Sequence, residues 1–415
     1  MGPAEFSSSH RWPARPTEAD LAGLPGCPAV YVCVDDADRP VLLASTQHLR
    51  RLAVSRLLRP ADELGRRADL AAIVRGVRWR DVHCPFEARW WYYRLARQMY
   101  PRAYRKLISF APAWFLHMDW QQPIAELRVS ERIWTLAGEF IGPWPNEKAC
   151  QQALEGLWDL FDLCRYPDQV RRAPHGTRCA YAEMGRCDAP CDGSAPLAPY
   201  TQRCRSAWAF AAGGVTAWIE DARERMRQAA ARQRYELAAQ IKQQIAFARN
   251  WQHEWSPIVR RDEEMNWLLV LPATRRKAWK LFLFRRGELL DGPLLADRKV
   301  AAEAPVWLAQ QGATPSAEQG ATARDADAKM REPDATVRME QTWLVGHLLY
   351  HREAAAAIIE PLPPEGVPPD LGGRLASALH ERRAAKHRVG RVARPDMNVA
   401  RDDVGSCDPT HRPPA

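Results

Sequence analysis

No run of this sequence approaches the ~18 uncharged apolar residues that a membrane-spanning helix needs. The mean hydropathy is −0.44, which also argues against a membrane protein. The opening stretch MGPAEFSSSHRW has no apolar core of the secretory type, so no signal is expected and the cytoplasm is the expected compartment. Thiols stay reduced there, so the ten cysteines read better as metal ligands or core residues than as disulfides. Wholesale disorder is excluded as well, because the apolar fraction is 46%, ordinary for a globular chain. Acid is the minority sign, with 50 Asp and Glu against 59 Lys and Arg, a net charge of +9. That is a weak pointer to nucleic acid, and a solvated arginine-rich surface explains it equally well. At about 100–200 residues per domain, the length suggests roughly two to four units.

The placement of the charge says more. Residues 89–106, RWWYYRLARQMYPRAYRK, carry Arg89, Arg94, Arg97, Arg102, Arg105 and Lys106 without a single acid. Trp90, Trp91, Tyr92, Tyr93, Tyr100 and Tyr104 lie among them. Cations contact phosphates and ring faces stack on bases, so these six cations are candidate DNA-binding residues. The plainer alternative is an amphipathic helix with its rings in the core and its arginines in water.

Periodicity organises the rest. Residues 1–24 read as a flexible arm. GCPAVYVCVDD and PVLLAS form a hairpin, 48–74 is helical with an interruption near Pro60, VRWRDVHC is a third strand, and a helix from Glu87 must end near Pro101. The order β-β-α-β-α marks a small α/β unit over 25–106. Two strands follow in 113–144, then a helix from Glu147 to Cys164. The segment 165–198 is rich in Cys, Gly and Pro and needs a staple. Residues 201–254 read as two antiparallel helices packed through small side chains. Three strand-like runs form a meander in 262–300. A linker (301–338), a last helix (339–362) and a disordered tail (363–415) complete the chain.

The sharpest chemical signal is a cysteine quartet, Cys164, Cys179, Cys187 and Cys191, with gaps of fourteen, seven and three residues. Four thiolates in a loop-rich segment follow metal-site logic. No C-x2-C knuckle of the zinc-ribbon kind is present, and Pro190 precedes the last cysteine, which fits an iron–sulfur cluster better. Four incidental core cysteines are the alternative.

Taken in order, these features resemble the family of the bacterial excinuclease component UvrC, from about residue 24 to 300. PHGTRCAYAEMGRCDAPCDG resembles the family's cysteine signature, and PWPNEKACQQALEGLWDLFDLCR its preceding helix. The resemblance implies an α/β (α+β) chain with a GIY-YIG-like domain at 25–106 and a four-cysteine iron–sulfur region within 107–200. It further implies a UVR-like hairpin at 201–254 and a partial RNase H-like meander at 262–300. It implies a 4Fe-4S cluster on the four cysteines, double-stranded DNA as a ligand, and a UvrB-like helicase docked on 214–249 through Tyr235, Glu236, Ala238 and Ala239.

The departures concern catalysis. Tyr31 stands at the family's tyrosine, but Leu42, Ala44, Leu52 and Tyr92 stand where the family has a tyrosine, a glycine, an arginine and the metal-binding glutamate. Arg50, Arg51 and Arg56 lie near Leu52 but are expected to face other ways on the helix. The RNase H-like aspartate turn and the helix–hairpin–helix repeats do not occur in the remaining sequence. GIY-YIG hydrolysis needs a carboxylate for a divalent metal and an arginine for the pentavalent phosphate. The expectation is a DNA-binding repair protein that has lost cutting. Its rival is a working metal-dependent endonuclease with relocated groups, for which Tyr31, His48, Arg51 and Glu87 are the candidates.

Overall fold

The computed structural model describes residues 5–58, 69–122, 125–185, 187–312, 334–364 and 366–392. Three four-stranded sheets, all antiparallel, organise these residues, as expected for an α+β chain. The first sheet runs β1 (Ser8–Arg11), β4 (Gly76–Asp81), β2 (Ala29–Val34), β3 (Pro40–Thr46) across its width. Period-2 alternation sends Tyr31, Cys33 and Trp79 to one face and Val30 and Leu43 to the other. Helices α1 (Glu18–Ala22), α2 (Leu49–Leu57) and α3 (Leu70–Ile73) belong to the Tyr31 side, and α4 (Pro85–Met99) packs on the opposite side. The expected interruption near Pro60 lies outside the described residues.

Of the expected arm, residues 5–24 are not loose. β1 pairs with β4, and Trp12, Leu21 and Leu24 are buried. A Thr17–Asp20 capping box starts α1. Three apolar anchors spread over thirteen residues are too sparse to show as periodicity, yet each fills the first sheet's core.

The second sheet comprises β5 (Trp114–Met118), β6 (Arg128–Ser130), β7 (Glu139–Trp144) and the short β8 (Arg260–Arg261). Asn146 caps α5 (Glu147–Phe161), accepting from the Ala149 N–H at 2.9 Å. The helix ends three residues before Cys164, where Asp162 turns left-handed at φ 50°. Two one-turn helices, α6 (Pro167–Val170) and α7 (Ala180–Glu183), carry the cysteine segment. Then α8 (Leu197–Ala209) leads through a wide turn at Phe210–Gly214 into the hairpin of α9 (Val215–Ala231) and α10 (Tyr235–Glu254). Gly213, at φ 117°, makes that wide turn possible. Small residues set the packing: a Cβ at Gly156 would sit 2.4 Å from the Phe247 ring.

The meander forms as β9 (Asn266–Pro272), β10 (Ala278–Arg285) and β11 (Glu288–Ala296). Beyond it the expectations need correcting. The stretch 301–338 opens as helix α11 (Val300–Gly312), and residues 313–333 lie outside the described residues. The helix over 339–362 is shorter than expected: α12 (Ala335–Tyr350) ends at a 3₁₀ turn, and β12 (Ile358–Pro361) pairs antiparallel with β9. The stretch 363–415 is not wholly unstructured, because α13 (Leu371–Val392) buries Leu371, Leu375 and Leu379. Leucines four apart make one apolar stripe, which the surrounding Arg and Ala mask in composition. Residues 393–415 lie outside the described residues.

The third sheet thus has two covered faces. Leu268, Val270, Leu281 and Leu283 meet α11 and α13, while Trp267, Leu269, Phe282 and Phe284 join α4 and α12 in one large core.

Candidate functional site

The nuclease-like positions fall into two groups. On α2 and β3, Leu42 and Leu52 close with Tyr31 over a small apolar cavity, also lined by Cys33 and Leu57. Ala44 packs on the same core and lies opposite Tyr31 in the strand register. The Tyr31 hydroxyl is buried without a hydrogen-bond partner among the described residues, and burial pushes it up to about 12. Arg56 lines this cavity as well, which corrects the expectation that it faces away from the Leu52 position. Tyr92 is elsewhere: α4 carries it on the other side of the sheet, half-buried against the large core.

The groups of the rival reading do not assemble. His48 caps α2, its Nδ1 accepting from the Arg51 N–H at 3.3 Å. Glu87 lies near the start of α4, which Cys84 caps and Pro85 opens, and it faces the third sheet. There the Lys280 Nζ lies 3.4 Å from Glu87, 2.6 Å from Asp291 Oδ1 and 2.7 Å from the Gly292 carbonyl. The His83 N–H donates to the other Glu87 oxygen at 2.6 Å. Burial holds the Glu87 carboxyl above the ordinary range, against the pull of Lys280.

The aromatic-basic segment divides between the two readings given above. Trp90, Trp91, Tyr93 and Tyr104 are buried core. Arg89 pairs with Glu353 at 2.5 Å, Arg97 with Asp334 at 2.8 Å, and Arg105 with Glu340 at 3.0 Å. Glu340 is fully buried and also accepts from the Tyr93 and Tyr104 hydroxyls at 2.8 and 2.6 Å. Arg94 lies 4.5 Å from the Trp91 ring, across which Arg80 stacks at 3.6 Å. Arg102 and Lys106 are exposed, without an ion-pair partner among the described residues. Glu340, Glu353 and Lys280 escaped the sequence reading. Only Lys280 carries a local signal, a lone charge in the apolar stretch AWKLFLF.

The cysteines gather around α6 and α7. Burial pushes the Cys164 thiol up to about 11, and negative charge at Cys187, Cys191 and Cys179 adds to the rise. Cys191, in the Pro190–Asp192 turn, is raised by burial, Asp192, Cys179 and Cys187. Four thiols within electrostatic reach suit a thiolate-bound centre in donor type. Among the described residues, however, no group of three or more His, Cys, Asp or Glu side chains is arranged to hold an ion. In this structure the quartet is a neighbourhood rather than a closed site.

On the hairpin, Tyr235 is 68% exposed and Leu237 41% exposed where α10 begins. Glu236 and Ala239 are exposed as well, and Ala238 packs inward.

Comparison with known proteins falls on the middle of the chain. The family described as "UvrC/Cho excinuclease, middle domain" matches residues 113–210, and "UvrB/uvrC motif" matches residues 219–250. The UvrABC system protein C of Thermus thermophilus is 32% identical over 131 residues, 31% of this chain and 22% of that protein. That of Geobacter metallireducens is 30% identical over 133 residues, 31% of this chain and 21% of its own. That of Citrifermentans bemidjiense is 24% identical over 229 residues, 54% of this chain and 36% of its own. The chain thus spans about a fifth to just over a third of the curated relatives it matches. No solved structure matches it. Through residues 113–210 and 219–250, the middle of the chain is similar to the middle domain and the UVR motif of the UvrC family.

Proposed function

We propose that this protein is a UvrC-like DNA-binding protein of nucleotide excision repair whose N-terminal unit does not cut DNA. One observation carries the loss of cutting. The face holding Tyr31 is closed by Leu42 and Leu52 into an apolar cavity that no described carboxylate lines. A metal-dependent phosphodiesterase needs an oxygen ligand for its cation, and leucine supplies none. Arg56 alone could stabilise charge there.

The rest of the reading has separate supports. The UVR motif and the exposed Tyr235 at the start of α10 support docking of a UvrB-like helicase on 214–249. Cys164, Cys179, Cys187 and Cys191 would hold the iron–sulfur cluster, which would supply folding energy to a segment poor in core residues. Among the described residues Arg94, Arg102 and Lys106 remain free of ion pairs for duplex phosphates, whereas Arg89, Arg97 and Arg105 serve first to fasten α4 to the C-terminal elements.

The test is a nicking assay on damaged duplex with UvrA and UvrB, in Mg²⁺ or Mn²⁺. Duplex should be bound and not nicked above the solvent background. Robust metal-dependent nicking by the unmodified protein overturns the reading and makes Tyr31 and Arg56 the first residues to substitute.

A further inference from the structure

The turn between β9 and β10 carries Arg275, Arg276 and Lys277 in succession, all exposed. The neighbouring turn between β11 and α11 brings Arg298, also exposed. The two turns are joined by a hydrogen bond from the Asp297 N–H to the Lys277 carbonyl at 2.9 Å. Among the described residues none of these four cations has an ion-pair partner. The acids nearby are already engaged. Asp297 accepts from the Trp279 indole at 2.7 Å and pairs with Arg383 at 2.6 Å. Glu303 pairs with Lys299 at 2.8 Å.

Like charges gathered without counter-charge repel one another, and an ordinary turn relieves this by moving. This turn is held on both sides. On one side is the bond to Lys277. On the other, the His83 carbonyl accepts both the Thr274 N–H at 2.7 Å and its hydroxyl at 3.1 Å. Lys277 itself sits at φ 56°, a conformation costly for a side chain with a Cβ. The backbone that carries these cations is already ordered, so a polyanion meeting them needs to order side chains only, and their mutual repulsion is relieved by it.

We infer that Arg275, Arg276, Lys277 and Arg298 form a phosphate-backbone docking surface for duplex nucleic acid. This surface lies on the third sheet and is separate from the α4 cations. The inference rests on the DNA-binding reading above. Among the described residues no ring stacks beside these cations and no large apolar side chain is exposed among them, so recognition there is electrostatic and blind to sequence.

The test uses the full chain and labelled duplexes of unrelated sequence, with anisotropy titrations over a range of salt. Arg275→Ala/Arg276→Ala/Arg298→Ala removes three charges and leaves Lys277 and the core untouched. Binding should weaken by a similar factor on every duplex, and the slope of log affinity against log salt should shrink by about 2.7, at ~0.9 per phosphate contact. The matching triple lysine variant should keep both affinity and slope. If the unmodified protein binds duplex and the alanine variant binds it equally, with an unchanged slope, this surface is refuted while the DNA reading stands. If the unmodified protein binds no duplex, or binds only anionic vesicles, the DNA reading falls and this surface with it.

Discussion

Replacing Lys280 by Met asks whether the N-terminal unit and the meander are one folding unit. The ammonium sits between Glu87, Asp291 and the Gly292 carbonyl, with Glu87 at 3% exposure and Lys280 at 6%. Methionine keeps most of the stem and removes the charge. Glu87 is then left with the His83 N–H as its described partner. Removing one member of a buried pair costs about 3–5 kcal/mol, a large part of a total near ~5–15 kcal/mol. The loss depends on pH, with a definite sign. Burial already holds the Glu87 carboxyl high while Lys280 pulls it down, so without Lys280 it rises further. An acid raised in the folded state binds more protons folded than unfolded. Its favourable contribution is therefore present below the ordinary carboxylate range and is lost as pH climbs through the folded value. The urea midpoint of Lys280→Met should fall most at about pH 8 and recover toward about pH 5. Glu87→Gln/Lys280→Met should regain much of the loss, because no buried charge is then left alone. Equal midpoints for Lys280→Met and the unmodified protein at the higher pH refute the reasoning, and a deficit that pH does not move assigns the cost to packing.

Three further outcomes are expected. Tyr31→Phe removes a buried hydroxyl with no described partner and should raise stability by about 1–2 kcal/mol in urea titration; a loss of that size would mean that the hydroxyl has a bonding partner in solution. Protein purified without oxygen should be brown and hold about four irons, and Cys187→Ser should bleach it; a colourless protein with one stoichiometric zinc would exclude the iron–sulfur centre but keep the four thiolates. Tyr235→Asp places a charge on the exposed start of α10 and should abolish capture of the host's UvrB without shifting the melting curve; retention equal to the unmodified protein would show that this residue is not a docking contact.

Strands with dense apolar content were legible in the sequence, among them AVYVCV and AWKLFLF, as was α4 with Pro85 at its start and Pro101 beyond its end. Elements whose reason to exist lies far away in the chain were not. Leu371, Leu375 and Leu379 become a helix face because α11 offers them a surface. Trp12 is an anchor because the Val74 carbonyl accepts its indole N–H at 3.0 Å. The arginines of 89–106 looked free because the acids that hold them, Asp334, Glu340 and Glu353, lie more than 230 positions on. Within the nuclease-like unit, Arg56 lies four residues after Leu52 and so on its face of α2, a relation that helix periodicity makes legible and that the expectation of an outward-facing Arg56 overlooked; sequence spacing did not show that the sheet itself separates Tyr92 from Leu42 and Leu52.

The bond from Arg89 to Glu353 spans 264 positions of sequence, and that span has a consequence on the ribosome. The aromatic face of α4 emerges early, while the α12 surface that covers it is made near the end. At about 5–20 residues per second of synthesis, the interval is roughly 13–53 s. Until α12 is made, the Tyr93 and Tyr104 hydroxyls lack their Glu340 acceptor and the shared core lacks Leu344 and Leu348, an opening for chaperones and for aggregation alike. A fragment cut after the meander would lack the α12 side of that core permanently, so the N-terminal portion should be expressed with its C-terminal helices attached.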